Sequence, residues 1–163
     1  CLNGLNLSGI DLSGVNLSQA KLSGANLEGA NLRATNLSAA KLRGVRLTSA
    51  NLSHADLRDA YLSRANLDWS DLTQADLTQA NLYDAKLLGV RVCETKYEEA
   101  LLPDTTRQYL NLLAESIQAS TQSGSSNAGA AASSSTISQA TYSRLSHSKI
   151  APHLMSHAKY GIA

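Results

Sequence analysis

The sequence of 163 residues is poor in the side chains that usually fill a globular core. It contains no phenylalanine, one tryptophan and one methionine, and aromatic residues make up only 4% of the chain. Its hydrophobic fraction of 43% is therefore supplied mainly by leucine and alanine at fixed places. Such a core needs a regular arrangement in which aliphatic side chains and small ones can pack closely.

Cysteine and long apolar runs are also scarce, and each scarcity excludes a class of protein. The two cysteines, Cys1 and Cys93, lie too far apart in the repeat described below to form a disulfide, so no disulfide scaffold is expected. No apolar run approaches the roughly 20 residues of a membrane span. Nothing resembles a signal peptide, and we therefore expect a soluble, cytoplasmic protein.

What the chain has instead is leucine at every fifth position. Leucine occupies eighteen consecutive positions at this spacing, from Leu2 to Leu87. An α-helix repeats near 3.6 residues and a strand repeats at 2, so neither element has this period. A strict five-residue period indicates a repeat architecture, which leaves little room for a catalytic pocket.

The other positions of the five-residue unit are patterned as well. The residue two before the leucine is usually alanine, and the residue between them is usually Asn or Asp, as in Ala25-Asn26-Leu27. Because side chains alternate along an extended segment, the leucine and the alanine face inward together. The Asn or Asp faces outward or bonds nearby backbone, as these side chains do at turns. Four such units would close a square coil of about twenty residues, with coils stacked at roughly 4.8 Å.

The recurring unit Ala-Asn-Leu-x-x, as in residues 25–29 and 50–54, resembles the pentapeptide-repeat family. The resemblance covers residues 1–102, and it implies an all-β fold, a right-handed quadrilateral β-helix of about five coils. Members of this family are abundant in cyanobacteria. Some bind DNA gyrase as mimics of DNA, and others are fused to signalling enzymes such as Ser/Thr kinases. The family motif is structural, so the resemblance implies no catalytic residue and no cofactor.

The five-residue pattern weakens after Leu87, and the chain is predicted to divide into four segments. They are a β-helix over 1–102, a capping helix over 103–119, a Ser/Ala/Gly-rich linker over 120–138 and a weakly structured tail over 139–163. The helix is predicted from the apolar spacing of Tyr109, Leu110, Leu113 and Ile117 within the amphipathic stretch 106–119. An open β-helix end exposes unpaired strand edges, which such a helix would cover.

The sequence gives little indication of a catalytic site or a metal site. Asp56 with Asp59, and Asp71 with Asp76, are carboxylate pairs only in sequence, and on a coil stack they project into solvent, so no enzyme is predicted. Three of the four histidines lie in the tail, namely His147, His153 and His157. The last two are four residues apart, a spacing that can chelate a metal on a helix. A proline interrupts this segment and no third ligand is evident, so no metal site is predicted.

Residues twenty apart should lie one above another, so the outward surfaces can be assigned by arithmetic. The basic surface consists of Lys21, Lys41, Arg43, Tyr61, Arg64 and Tyr83, opposed only by Asp84. The acidic surface consists of Asp56, Asp59, Asp76, Glu98 and Glu99, opposed by Arg58 and Lys96. Trp69 is placed outward at a corner near Leu88. Exposed aromatic side chains of this kind anchor protein interfaces, although a single surface aromatic residue needs no special explanation. The candidate interaction surface is Lys21, Lys41, Arg43, Tyr61, Arg64, Trp69, Tyr83 and Leu88.

The predicted function is a non-enzymatic protein-interaction or scaffold module that presents flat β-helix faces to a protein partner. One alternative is a C-terminal targeting or regulatory module of a larger signalling enzyme such as a Ser/Thr kinase, favoured by the missing initiator methionine and the abrupt start of the repeat. The other is a gyrase-binding DNA mimic. Residues 1–102 carry ten Lys plus Arg and eleven Asp plus Glu. This near-neutral balance disfavours mimicry of a polyanion and gives no reason to expect a nucleic-acid partner.

The first coil is more apolar than the coils that follow it. Leu5, Ile10 and Val15 occupy positions that alanine takes further along the chain. An uncovered apolar coil of this kind predicts association with upstream residues, with the tail or with a second copy. We expect a homodimer with an isologous two-fold contact.

Overall fold

The computed structural model describes the backbone of residues 1–122 and the side chains of residues 1–116. The chain divides into two compact units, Cys1–Pro103 and Asp104–Ala163. Most of the predicted linker and all of the predicted tail lie outside the described residues. The three tail histidines, His147, His153 and His157, lie outside them as well.

The first unit is a stack of coils that are each twenty residues long. Parallel bridges join residues twenty apart, from Asn6 with Asn26 to Asn81 with Leu101. Around the first bridge, the Leu7 amide donates to the Asn26 carbonyl at 2.7 Å and the Asn26 amide donates to the Leu5 carbonyl at 2.8 Å. Within residues 1–103 the bridges are isolated and do not merge into longer strands, because each run of three extended residues is followed by a two-residue turn.

Each coil has four sides because every five-residue unit ends in the same turn. The alanine amide after the turn donates to the carbonyl of the preceding leucine, as from Ala25 to Leu22 at 3.0 Å. The fourth residue of each five-residue unit, counted from Cys1, has a positive φ, from Gly4 through Glu99. A positive φ at the third residue alone is the signature of a type II turn. Seven of these residues are glycines and thirteen are not, which makes four turns in each of five coils.

In most units an Asn or Asp precedes the leucine and stabilises the turn from outside. The Asn16 Oδ1 accepts the Ser18 amide at 3.0 Å, and the Asp71 Oδ1 accepts the Thr73 amide at 2.9 Å. This local bond is an Asx-turn, for which Asn and Asp are preferred. Some of these side chains also join coils, since the Asn26 Nδ2 donates to the Asn6 Oδ1 at 3.2 Å. The predicted role of this position is confirmed.

The core is a column of leucine with small residues beside it. From the second coil onward the leucines are fully buried through Leu77, and so are the neighbouring alanines such as Ala25 and Ala55. The predicted inward assignment is therefore confirmed for these coils. Burying one leucine contributes roughly 1.5–3 kcal/mol, and the alanines leave space for the leucines of adjoining sides to meet.

The first coil differs from the others in its exposure. The four leucines of its five-residue register, from Leu2 to Leu17, are half-buried, and Leu5 and Val15 are 46% and 39% exposed. The apolar character expected for this coil is thus present at its surface. The homodimer expected through it stays a prediction.

The second unit begins with α1, Asp104–Gln122. The helix starts two residues earlier than the predicted stretch 106–119 and ends three residues later. The later end has a simple cause, because no Pro or Gly interrupts the sequence before Gly124. Tyr109, Leu110 and Leu113 are buried, whereas the side chain of Ile117 lies outside the described residues.

Two further findings concern the part of the chain that is described. No helix there is both long enough and apolar enough to cross a membrane. Cys1 and Cys93 are free thiols, as their separation in the coil stack predicts.

Candidate interaction surfaces

Trp69 is the only large apolar residue at the left-handed turn position within residues 1–103. It has a positive φ of 63°, and its side chain is among the most exposed large apolar ones, at 58%. Its amide donates to the Leu88 carbonyl at 2.8 Å, and the Leu88 amide donates to the Asp68 Oδ1 at 2.9 Å. These two bonds tie the Trp69 turn to the turn one coil later. We call Asp68, Trp69, Leu88 and Gly89 the tryptophan corner.

The indole of Trp69 lies directly over Gly89. A Cβ added at Gly89 would overlap the Cε3 and Cζ3 atoms of the ring, and it would lie 2.9 Å from Cδ2. At Gly44, which has nearly the same φ, an added Cβ would meet nothing within 4 Å. Gly89 therefore serves two purposes, since it accepts the left-handed turn and provides a flat seat for the ring.

The sequence placed Trp69 near Leu88 but did not identify Gly89. The signal was available, because Gly89 follows Trp69 by twenty residues and therefore lies directly above it in the coil stack. The structure places Leu88 at the same corner, half-buried.

The basic surface lies on a different side of the coil stack. Lys21, Lys41 and Tyr61 are successive members of one bridged ladder. Tyr61 and Tyr83 are 53% and 67% exposed. The three other members, Arg43, Arg64 and Tyr83, belong to the turns that follow this ladder. One coil side, which carries Asn66 and Lys86 outward, separates these turns from the tryptophan corner, so the eight candidate residues form two surfaces.

The cations of the coil stack differ in whether they have a carboxylate partner. Four arginines form ion pairs, among them Arg46 with Glu28 at 3.3 Å and Arg64 with Asp84 at 3.5 Å. Among the residues described, Lys21, Lys41 and Arg43 form none. The basic surface thus contains three charges that are not neutralised by a bonded acid.

The acidic surface is organised around Arg58. Asp56 and Asp76 are bridged neighbours, and Arg58 holds Asp56 through two bonds, Nε to Oδ1 at 2.8 Å and a second guanidinium nitrogen to Oδ2 at 2.6 Å. The Arg58 hydrogen bond is the main cause that holds the pKa of Asp56 below its ordinary value of 3.8. In turn, Asp56 raises the pKa of Arg58, and Asp76 and Asp59 add to this through their charge.

Of the carboxylates considered for catalysis, Asp56, Asp59 and Asp76 lie on this surface, and Asp71 lies on another side of the coil, in the ladder of Asn51 and Arg91. Asp71 forms an ion pair with Arg91 at 3.4 Å. Within the described residues, no group of three or more His, Cys, Asp or Glu side chains is arranged to hold a metal ion. The arrangement can form ion pairs and bind a complementary surface, and it offers no grouping suited to acid–base chemistry.

The twenty-residue coil with a turn at every fifth residue defines an all-β solenoid with four sides. The family model for pentapeptide repeats matches eight copies, over residues 1–38, 25–64, 40–79 and 60–96. The chain belongs to the pentapeptide repeat family. No match was found among curated proteins.

Three solved structures of pentapeptide repeat proteins are similar to this chain. One, from the thylakoid lumen of Arabidopsis thaliana, is 34% identical with a TM-score of 0.65, over 67% of this chain and 76% of that chain. Another, from the cyanobacterium Nostoc, is 38% identical with a TM-score of 0.44, over 53% and 74%. A third, Rfr23 from the cyanobacterium Cyanothece 51142, is 32% identical with a TM-score of 0.34, over 60% and 84%.

Proposed function

We propose that this protein is a non-enzymatic interaction module that binds a protein partner through the tryptophan corner. The observation that carries the proposal is the indole of Trp69, which is 58% exposed and lies on Gly89. Exposed tryptophans are common among the side chains that dominate protein–protein binding. A ring already held in one orientation loses less conformational entropy when a partner covers it.

Folding requirements do not explain a tryptophan at this position. A residue other than glycine in the left-handed region carries a strain of order 1–3 kcal/mol. Other turns of the stack hold glycine or side chains such as Ala39 and Gln74 at the same place. The ring of Trp69 lies outside the leucine column, so it adds nothing to the core. A binding role gives this large side chain a purpose that the turn itself does not.

The charge distribution disfavours a DNA-mimicking, gyrase-binding role. Residues 1–102 have a net charge of −1, from ten Lys plus Arg and eleven Asp plus Glu. A duplex carries one negative charge for roughly every 1.7 Å of its axis. Five of these eleven acidic residues lie on the acidic surface beside Arg58 and Lys96, and the other six are spread over other parts of the coils, so the coil stack offers no continuous polyanion.

We further propose that α1 covers an end of the coil stack. A solenoid end has unpaired backbone groups and an open apolar layer, both of which favour aggregation unless they are covered. The buried side chains of α1, namely Tyr109, Leu110 and Leu113, provide an apolar stripe suited to this purpose. The handedness of the coil, expected to be right-handed from the family resemblance, is part of the same proposal.

Affinity capture with paired variants tests the binding role. The immobilised protein, its Trp69→Ala variant and its Gln74→Ala variant are each incubated with native extract of the source organism. Gln74 is the matched control, because it occupies the same turn position one unit later with a φ of 57°. We expect proteins retained by the parent and by Gln74→Ala to be missing with Trp69→Ala.

Two results of the capture would contradict the proposal. One is the same set of retained proteins with all three baits. The other is a loss with both variants, which would indicate that the turns matter and the indole does not. Circular dichroism of each bait confirms that the coil stack is intact before the comparison is made.

A further inference from the structure

Lys21 and Lys41 form a like-charged pair within the coil stack. They are directly bridged in parallel on neighbouring coils, so their backbones lie about 4.8 Å apart. Like charges directly opposite each other destabilise a sheet. The next members of this ladder are Tyr61, Asn81 and Leu101, none of which carries a compensating negative charge.

The acidic surface contains a comparable pair of like charges on neighbouring coils, and there the charges are compensated. Asp56 and Asp76 are likewise directly bridged, but Arg58 forms an ion pair with Asp56 at 2.6 Å and is attracted by Asp76. No carboxylate does the same for Lys21 or Lys41 among the described residues. Arg43, in the turn that follows this ladder, adds a third unpaired cation to the same area.

We propose that Lys21, Lys41 and Arg43 bind an acidic segment of a partner protein, whose carboxylates supply the missing counter-ions. The inference rests on the proposed interaction role and gives the partner a chemistry. It depends on a different set of residues from the tryptophan corner, so each idea can fail separately. Binding would replace a repulsion within the free protein by attraction across the interface, which favours association over the unbound state.

The surroundings favour a protein segment over a nucleic acid. Tyr61 and Tyr83 are exposed beside the cations, and tyrosine is enriched at protein interfaces. Three unpaired cations match a short run of carboxylates. A duplex would extend past them and meet acidic side chains such as Glu28 and Asp84 with its phosphates.

Fluorescence anisotropy on the full chain tests the inference with a defined probe. The probe is a short fluorescein-labelled peptide of alternating Glu and Ser, and its counterpart has Gln in place of Glu. We expect the Glu peptide to bind more tightly than the Gln peptide, and the binding to weaken as salt is added. The double change Lys21→Gln with Lys41→Gln should weaken binding about tenfold, whereas Lys21→Arg with Lys41→Arg should retain it.

The matched control is the double change Lys86→Gln with Lys96→Gln. These lysines also lack an ion pair among the described residues, but they lie on two other sides of the stack, so the net charge changes equally at another place. Binding should change by less than about twofold. Equal losses in both double variants would reduce the effect to overall charge and overturn the inference.

Two further arms separate this inference from its alternatives. A labelled DNA duplex that binds more tightly than the Glu peptide would show that the surface recognises nucleic acid, which also overturns it. The Trp69→Ala variant should bind the Glu peptide as the parent does. If the lysine changes leave peptide binding unaltered while Trp69→Ala still loses its captured partner, the inference fails and the proposed function stands.

Discussion

At the scale of single residues, the contact between Trp69 and Gly89 is the feature that the five-residue pattern does not require. Gly89→Ala should lower the free energy of unfolding by about 1–2 kcal/mol more than Gly44→Ala does, because both changes strain a left-handed turn but only one displaces a ring. The chain has one tryptophan, so its fluorescence reports on this ring alone. Denaturant unfolding gives the difference, and a red-shifted emission in folded Gly89→Ala checks its cause.

The Gly44→Ala variant makes this prediction specific. The φ of 65° at Gly44 matches the 66° at Gly89, and a methyl group added at Gly44 would meet open space. Equal losses of stability in the two variants, with unchanged emission, would mean that the indole does not press on Gly89 in solution.

A buried hydroxyl group without a partner gives a second prediction at this scale. Ser70 is fully buried, and its Oγ has no hydrogen-bond partner among the described residues. Thr35, at the same position of another unit, donates from its Oγ1 to the Leu12 carbonyl at 2.8 Å. Ser70→Ala should therefore raise the free energy of unfolding by about 1 kcal/mol, whereas Thr35→Ala should lower it by about the same amount or more. Urea unfolding of both variants measures the two signs, and a loss at Ser70 equal to that at Thr35 would contradict the prediction.

The pair of Asp56 and Arg58 predicts a dependence of stability on acid. The pKa of folded Asp56 lies below its ordinary value of 3.8, so the charged form stabilises the fold. This contribution is present above the unfolded pKa and is lost as the pH falls through the folded one. Asp56→Asn keeps the Oδ1 that accepts the Arg58 amide at 3.2 Å but removes the charge. When the pH is lowered from about 5 to about 2, the melting temperature of Asp56→Asn should therefore fall less than that of the parent.

The size of this effect is limited because the pair is partly exposed. Arg58 and Asp56 side chains are 56% and 27% exposed, so the contribution should stay below about 1 kcal/mol. Asp59→Asn is the control, since it makes the same change of charge at a residue that forms no ion pair in the described part of the chain. A difference between Asp56→Asn and the parent that does not vary with pH would contradict the assignment.

At the scale of elements, the turn and the coil side are determined by short-range chemistry. The leucine spacing and the Asn or Asp before each leucine predict the burial and the Asx-turns, because both depend on residues at most a few positions apart. The twenty-residue spacing stacks Gly89 on Trp69, but sequence reasoning did not find the contact between them, because the spacing does not say which way the ring is turned. It also placed the end of α1 too early, because composition alone suggested a linker from Ser120 onward.

The proposed role of α1 gives a prediction for an element. If α1 is the proposed cap, Leu110→Ser should raise the tendency of the chain to aggregate, because the cap then loses one of its apolar side chains. Glu115→Ser changes an exposed residue of the same helix and should have no effect. Light scattering over a range of concentrations compares the two. A Leu110→Ser variant that scatters no more than Glu115→Ser would argue against a capping role.

At the scale of the whole coil stack, charge is separated while the total stays near zero. The unpaired cations of the basic surface, Lys21, Lys41 and Arg43, lie in the second and third coils, and the acidic surface lies in the third to fifth coils. The coil stack does not by itself determine a function, because the same leucine column can carry many different outward side chains. The family and the fold could therefore be predicted from the five-residue pattern, whereas the partner depends on the few outward residues that break it.

The central claim is that a protein partner docks on the indole of Trp69. Titration calorimetry of a purified, captured partner against the parent, Trp69→Ala and Gln74→Ala tests it most directly. We predict that Trp69→Ala weakens binding by about thirtyfold or more, the loss of about 2 kcal/mol that defines a dominant interface residue. Gln74→Ala should bind as the parent does. Equal affinities for the parent and Trp69→Ala, with both proteins folded, would contradict the claim.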